Sequence, residues 1–344
     1  MFVSWGGFRP VARGSRPGGR GRGTNRRDDR KGFLRKMRSH ALGVHVSVAG
    51  GVATAFDRGA ALDLASIQLF TRNSNQWKAK PLAPADAEAF RAAAKRTGIR
   101  PAMSHNSYLV NLAAADPELR AKSLEAMKDE LARAEMLGID FLVMHPGAHT
   151  GLGEEEGLAR ISKGIDEVLR SIPGGRTRIA LENAAGQGTC LGSRFEHLRS
   201  IIDAVDEPAR LAVCFDTCHA FAAGYDIRTG DGWRRTMDEL DRVIGLARLA
   251  CFHLNDSKKG LGCRVDRHEH IGKGEIGLEA FRALLADERF TNHPKVLETP
   301  EGGGSPQDAE NLKVLESLIE APGAKPAAAK GTKTPAVTKK AKAR

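Results

Sequence analysis

The sequence predicts a TIM-type (β/α)8 barrel flanked by two basic tails, on three observations. Eight short apolar runs alternate with helical patterns over about 250 residues, the usual count and span of such a barrel. Several runs are continuously apolar, as parallel strands buried on both faces must be. No GxGxxG loop follows the first run, which disfavours a doubly wound open sheet, the structural alternative.

In order, the runs are residues 43–47, 66–70, 100–104, 141–145, 178–183, 211–216, 249–255 and 295–299. Helical patterns fall between them, among others at 85–96, 117–136, 156–170 and 278–286. Gly98 and Gly138 stand just past two of these helices and before the next strand, where a left-handed C-terminal cap is expected.

Charge divides the 344 residues into three parts. The net charge is +11, but residues 1–40 carry twelve Lys/Arg against Asp28 and Asp29, and residues 321–344 carry seven and no acid. Residues 41–320 are therefore mildly acidic, and the surplus basic charge belongs to the tails. Gly, Arg, Pro and Ser dominate the first tail and Ala, Lys and Pro the second, too polar to build a core, so both are expected to be disordered. The first is either a nucleic-acid-binding or targeting arm or the product of an over-early start, with Met37 the natural initiator. Cys190, Cys214, Cys218, Cys251 and Cys263 form no CxxC pair, which argues against a disulfide framework or a thiolate zinc site and for a reducing, cytoplasmic setting. No apolar run reaches the roughly 20 residues of a membrane span.

TIM-barrel chemistry collects at the C-terminal ends of the strands. There the predicted strands deliver His105, His145, Glu182, Asp216, with His219 three residues on, His253, then Asp266 and His268 in the following loop, and Glu298. One buried His or Glu is ordinarily a satisfied structural residue. Nine at one level are costly to bury without cations. Five imidazoles and four carboxylates suit Zn²⁺, or a Zn²⁺/Mn²⁺ mixture, better than Mg²⁺, and exceed what one tetrahedral ion takes.

The segments HVSVAGG (45–51), HPGAH (145–149), LENAAGQG (181–188), DTCHAFAAGYD (216–226), HLNDSK (253–258) and RVDRHEHIGKGEIG (264–277) resemble the endonuclease IV family of apurinic/apyrimidinic endonucleases. The resemblance runs from about Val44 to Glu298 and omits both tails. It implies three metal ions: His105, His145 and Glu182 on the first; Glu182, Asp216, His253 and Glu298 on the second; His219, Asp266 and His268 on the third. The ions would activate a water for in-line attack on phosphorus, with Glu298 helping to orient it, and neutralise the departing 3′-oxygen. The implied partner is double-stranded DNA with abasic sites or blocked 3′ ends, bound by a monomer that is nucleoid-associated if the source is bacterial.

Tyr108 and Leu109 match a family loop that wedges into the duplex. Arg72, Arg228, Arg264 and Arg267 are candidate phosphate contacts. Asn75, in the loop from Arg72 to Trp77, stands where some relatives place an inserted arginine. His45 reads as a core histidine or one supporting the ligands. His149, His197, His270 and His293 read as loop or surface residues, and Cys214 and Cys218 as packing residues. A sugar-phosphate isomerase or epimerase on a related barrel is the alternative function, but such enzymes lack the His219/Asp266/His268 group. A non-enzymatic nucleic-acid-binding protein would leave the nine ligands unexplained.

Overall fold

The computed structural model describes residues 40–320, so every expectation about the two tails lies outside the described residues. The elements run β1 (Leu42–His45), α1 (Thr54–Ala61), β2 (Ser66–Leu69), α2 (Pro84–Thr97), β3 (Ala102–His105), α3 (Pro117–Leu137), β4 (Phe141–Met144) and α4 (Glu154–Arg170). They continue with β5 (Arg178–Glu182), α5 (Phe195–Ala204), β6 (Leu211–Asp216), α6 (Thr217–Ala223), α7 (Gly230–Val243) and β7 (Leu249–Leu254). The chain then forms β8 (Asp256–Ser257), β9 (His268–Glu269), α8 (Leu278–Ala286), β10 (Lys295–Leu297) and α9 (Pro306–Glu320). Strands β1 to β7 and β10 close into one barrel in the order β1-β10-β7-β6-β5-β4-β3-β2, and every pair within it is parallel. The predicted barrel is therefore the fold.

Local chemistry sets the helix ends. Pro84 and Pro117 occupy first helical turns, where a missing N–H costs nothing. The Asp116 carboxylate caps α3 by accepting from the N–H groups of Glu118 at 2.8 Å and Leu119 at 3.4 Å. Gly98 and Gly138 take φ of 68° and 73°, the left-handed conformation that stops α2 and α3.

Two apolar layers hold the barrel. Met103, Val143, Ala180, Ala212, Cys214, Ala250, Cys251 and Val296 fill its interior, and their modest size is what a closed eight-stranded sheet admits. The larger side chains, Phe56, Phe90, Phe195, Phe215, Phe252 and Phe281 among them, pack between sheet and helices. Each such phenylalanine stabilises the fold by about 1.5–3 kcal/mol. Among the described residues, no helix is long and apolar enough to cross a membrane.

Strand ends and one loop depart from the expectation, the first strand ending at His45 and the eighth at Leu297, each two residues early. The predicted third strand, 100–104, begins two residues later and reaches His105 itself. The loop after β7 contains a short antiparallel ribbon, with Asp256 opposite Glu269 and Ser257 opposite His268. Its two-residue strands are too short to leave an alternating pattern.

Lys295, at the entry to β10, is 1% exposed. Its Nζ donates to the carbonyls of Phe290 (2.6 Å), His293 (2.9 Å), His40 (3.1 Å) and Thr291 (3.3 Å), tying β10 to the chain entering β1. Lys295→Met should lower the unfolding free energy by about 2–4 kcal/mol, because it leaves several buried carbonyls without a donor. Denaturant unfolding of both proteins checks this, and an unchanged midpoint would show that the carbonyls find other donors.

Candidate metal centre

The barrel brings all nine predicted ligands to its C-terminal rim. His105, Glu182 and Asp216 are the last residues of β3, β5 and β6; His145 follows β4 directly, and Glu298 follows β10. His253 lies near the end of β7, His219 in α6 and His268 in β9, with Asp266 two residues before it. Their donor atoms form three groups, each within 4.8 Å, His105/His145/Glu182, Glu182/Asp216/His253/Glu298 and His219/Asp266/His268, and a fourth, Asp216/Cys218/His268, overlaps the last two.

Glu182, wholly buried, is common to the first two groups. Its Oε2 lies 3.1 Å from His105 Nε2 and 3.5 Å from His145 Nε2, whereas Oε1 lies 2.9 Å from His253 Nδ1. His253 Nδ1 also faces Glu298 Oε2 at 3.1 Å. In the third group, His219 Nε2 and His268 Nε2 stand 3.4 Å apart, with the Asp266 carboxylate 3.2 and 3.3 Å from them.

The donor set fits divalent cations in its tautomers as well as its spacing. His105 Nδ1 donates to the carbonyl of Asn106 (2.8 Å), His219 Nδ1 to that of Asn183 (3.0 Å) and His268 Nδ1 to that of Glu298 (3.0 Å). His253 Nε2 donates to Gln68 Oε1 at 2.9 Å. Each acceptor can only accept, so the proton is held on the outer nitrogen and the lone pair of the inner one points into the cluster.

A model of the AP endonuclease 2 family, described as the xylose isomerase-like TIM barrel, matches residues 56–318. A probable endonuclease 4 of Citrifermentans bemidjiense is 54% identical over 279 residues, covering 81% of this chain and 99% of that protein. The chain belongs to the endonuclease IV family. A second relative, probable endonuclease 4 of Chloroflexus aurantiacus, is also 54% identical over 279 residues, with 81% and 98% covered. The crystal structure of endonuclease IV from Thermus thermophilus superposes with a TM-score of 0.72 at 39% identity, covering 81% of this chain and 99% of that one. A D-tagatose 3-epimerase-like protein, at 19% identity and a TM-score of 0.62, shares the fold.

The electrostatics of this endonuclease IV rim follow from crowding imidazoles against carboxylates. Burial pushes the Glu182 carboxyl up, but His253, His145, His105 and His219 outweigh it and hold the group well below the usual carboxylate range. Burial likewise opposes charge on His253, yet Glu298, Glu182 and Asp216 raise it to about 10. Burial dominates at His145, which falls to about 4. For Asp266 the burial cost is overcome chiefly by His219, bringing it to about 2.

The DNA-facing expectations divide. Tyr108 is 64% exposed, with its ring 5.8 Å from that of His105, and Leu109 beside it is half-buried. Asn75 is exposed on the loop after β2. Arg264 and Arg267 lie on the loop that carries Asp266 and His268, both exposed at its surface. Arg228 pairs through two nitrogens with Asp226, at 2.8 Å each, so much of its charge is spent locally. Arg72 departs from expectation: its side chain is buried, bonded to the carbonyls of Gln76 and Trp77 and paired with Asp129, so it does not offer its guanidinium to phosphate. His197 is another departure. It is buried in the first turn of α5, accepting from Gly192 N at 3.0 Å. Cys214 and Cys218 are buried, as packing residues should be.

The residues that brace the candidate ligands are mostly beyond what the sequence reading names. His45, the last residue of β1, places Nδ1 3.3 Å from Glu298 Oε1, in keeping with a supporting role. Gln68 bonds His253, Glu298 and His45 at once. Asn255 donates to Asp216 Oδ2 at 2.6 Å and accepts from Glu298 N at 3.1 Å, and Asn183 accepts from Asp216 N at 2.7 Å. Asn183 and Asn255 carry a sequence signal, a lone amide at the C-terminal end of an apolar run, whereas Gln68 stands inside its run.

Proposed function

We propose that this member of the endonuclease IV family, a DNA-cleaving hydrolase of the AP endonuclease type, cuts the phosphodiester on the 5′ side of an abasic site. It leaves a 3′-hydroxyl and a 5′-deoxyribose phosphate, trims blocked 3′ ends, and serves base excision repair in the cytoplasm. The observation that carries this reading is the Glu182 carboxylate, whose two oxygens face two different donor groups while a third group lies alongside. A one-metal or two-metal sugar isomerase has no use for His219, Asp266 and His268, and that alternative rests on likeness of fold alone.

His105, His145 and Glu182 would hold the first divalent ion, Glu182, Asp216, His253 and Glu298 the second, and His219, Asp266 and His268 the third, with Zn²⁺ at all three or Mn²⁺ at one. Bound there, the ions supply an activated water and neutralise charge on phosphate and leaving oxygen. The side chains do the rest. Glu182 fixes the spacing of the first two groups. Glu298, braced by Gln68 and His45, orients the attacking water. Asn106, Asn183 and Gln68 keep the imidazole lone pairs turned inward. Tyr108, exposed beside His105, enters the duplex where the base is missing.

Elemental analysis of purified protein should return about three ions per chain, since three converging donor groups share nine residues. Cleavage of an abasic oligonucleotide should disappear on chelation and return on adding zinc. One ion in fully active protein would favour the isomerase.

A further inference from the structure

Two loops of the catalytic rim, one after β2 and one after β3, are fastened to each other and to α3 by a buried ionic network. Glu130 on α3 is 1% exposed, and both its oxygens accept from Ser107 N, at 3.1 and 3.2 Å. Ser107 Oγ crosses to the other loop and donates to the carbonyl of Ser74 at 2.5 Å. Arg72 sits between them: its Nε lies 3.7 Å from Glu130 Oε1, and its Nη1 is 3.3 Å from Asp129 Oδ2. Its Nη2 holds the carbonyls of Gln76 and Trp77. Arg133 completes the frame, donating to Asp129 at 2.8 Å and to the carbonyl of Lys80 at 2.6 Å.

A buried carboxylate here costs desolvation that an apolar side chain would avoid. What its two acceptor oxygens add is placement. Ser107 lies between His105, a member of the metal centre, and the exposed Tyr108, while the opposite loop presents Asn73 and Asn75 to solvent. We infer that Glu130, with Arg72, is a positioning residue that locks these loops into one rigid jaw and thereby sets selectivity for abasic over intact duplex. The inference rests on the proposed entry of Tyr108 into the duplex.

The test compares wild type with Glu130→Ala, Glu130→Gln, Ser107→Ala, Tyr108→Ala and the Glu130→Ala/Tyr108→Ala double variant. Binding is measured to an undamaged duplex and to the same duplex with one abasic site and a non-hydrolysable linkage at the cut position. Glu130→Ala should lower the binding ratio about tenfold, the scale on which residues that touch no ligand modulate a binding site. The loss should fall on KM far more than on the single-turnover rate. Glu130→Gln, which keeps an acceptor for Ser107 N, should recover most of the ratio. Ser107→Ala, which removes the strap to Ser74 and the acceptor for Leu109 N but leaves Ser107 N on Glu130, should lower it less. Glu130→Ala combined with Tyr108→Ala should lose little more than Tyr108→Ala alone, since coupled residues are not additive. An unchanged ratio in both Glu130→Ala and Ser107→Ala, with the ratio lost in Tyr108→Ala, overturns the jaw and leaves the Tyr108 role standing. Should Glu130→Ala fail to fold, Ser107→Ala decides by the same criterion. A full ratio in Tyr108→Ala overturns both.

Discussion

Replacing Glu182 by glutamine should lower the single-turnover rate of abasic-site cleavage on the order of 10³-fold or more, as loss of a group on which a catalytic unit depends does. Glutamine keeps the shape but removes the charge on which His105, His145 and His253 converge. It also presents an amide N–H where two donor groups need a lone pair. Glu298→Gln should act as strongly, because Glu298 faces His253 at 3.1 Å and is held by both His45 and Gln68. The barrel should remain folded in both variants, since its apolar layers do not depend on either carboxylate. Circular dichroism, metal content and single-turnover cleavage check the three parts separately. Near-normal turnover in either variant would remove the shared-carboxylate centre from the mechanism.

Trimming the chain to residues 40–320 should produce the second large effect, on affinity rather than on chemistry. The segments removed carry all of the surplus basic charge of a chain whose net charge is +11, and the remainder is mildly acidic. Each DNA phosphate that the tails no longer neutralise should reduce the slope of log affinity against log salt by about 0.9. Undamaged duplex should therefore bind more weakly and with a shallower slope. Single-turnover cleavage at saturating DNA should barely change, because every proposed ligand lies inside the trimmed chain. A salt titration beside the cleavage assay separates the cases. An unchanged slope would make the tails silent for DNA, and a collapsed rate would mean that they reach the catalytic rim.

Sequence by itself determined the barrel and the placing of the nine candidate ligands on its C-terminal rim, because both rest on short-range rules. Strand and helix periods mark the βα units, Gly98 and Gly138 stop two helices, and each unit has only one C-terminal end. A residue such as His105 or Asp216 is thereby assigned to the rim with no knowledge of its neighbours. Tertiary structure alone decided what those residues touch. The barrel closure turns the two oxygens of Glu182 toward different groups, and Gln68 meets His253 across 185 positions of sequence. Arg72, outwardly a surface arginine, is drawn inside because α3 sets Asp129 and Glu130 behind its loop. His197 is buried because the turn before α5 needs an acceptor for Gly192 N. Partner choice among polar groups depends on which helix packs behind which loop, a distance in space that no local period of the chain encodes.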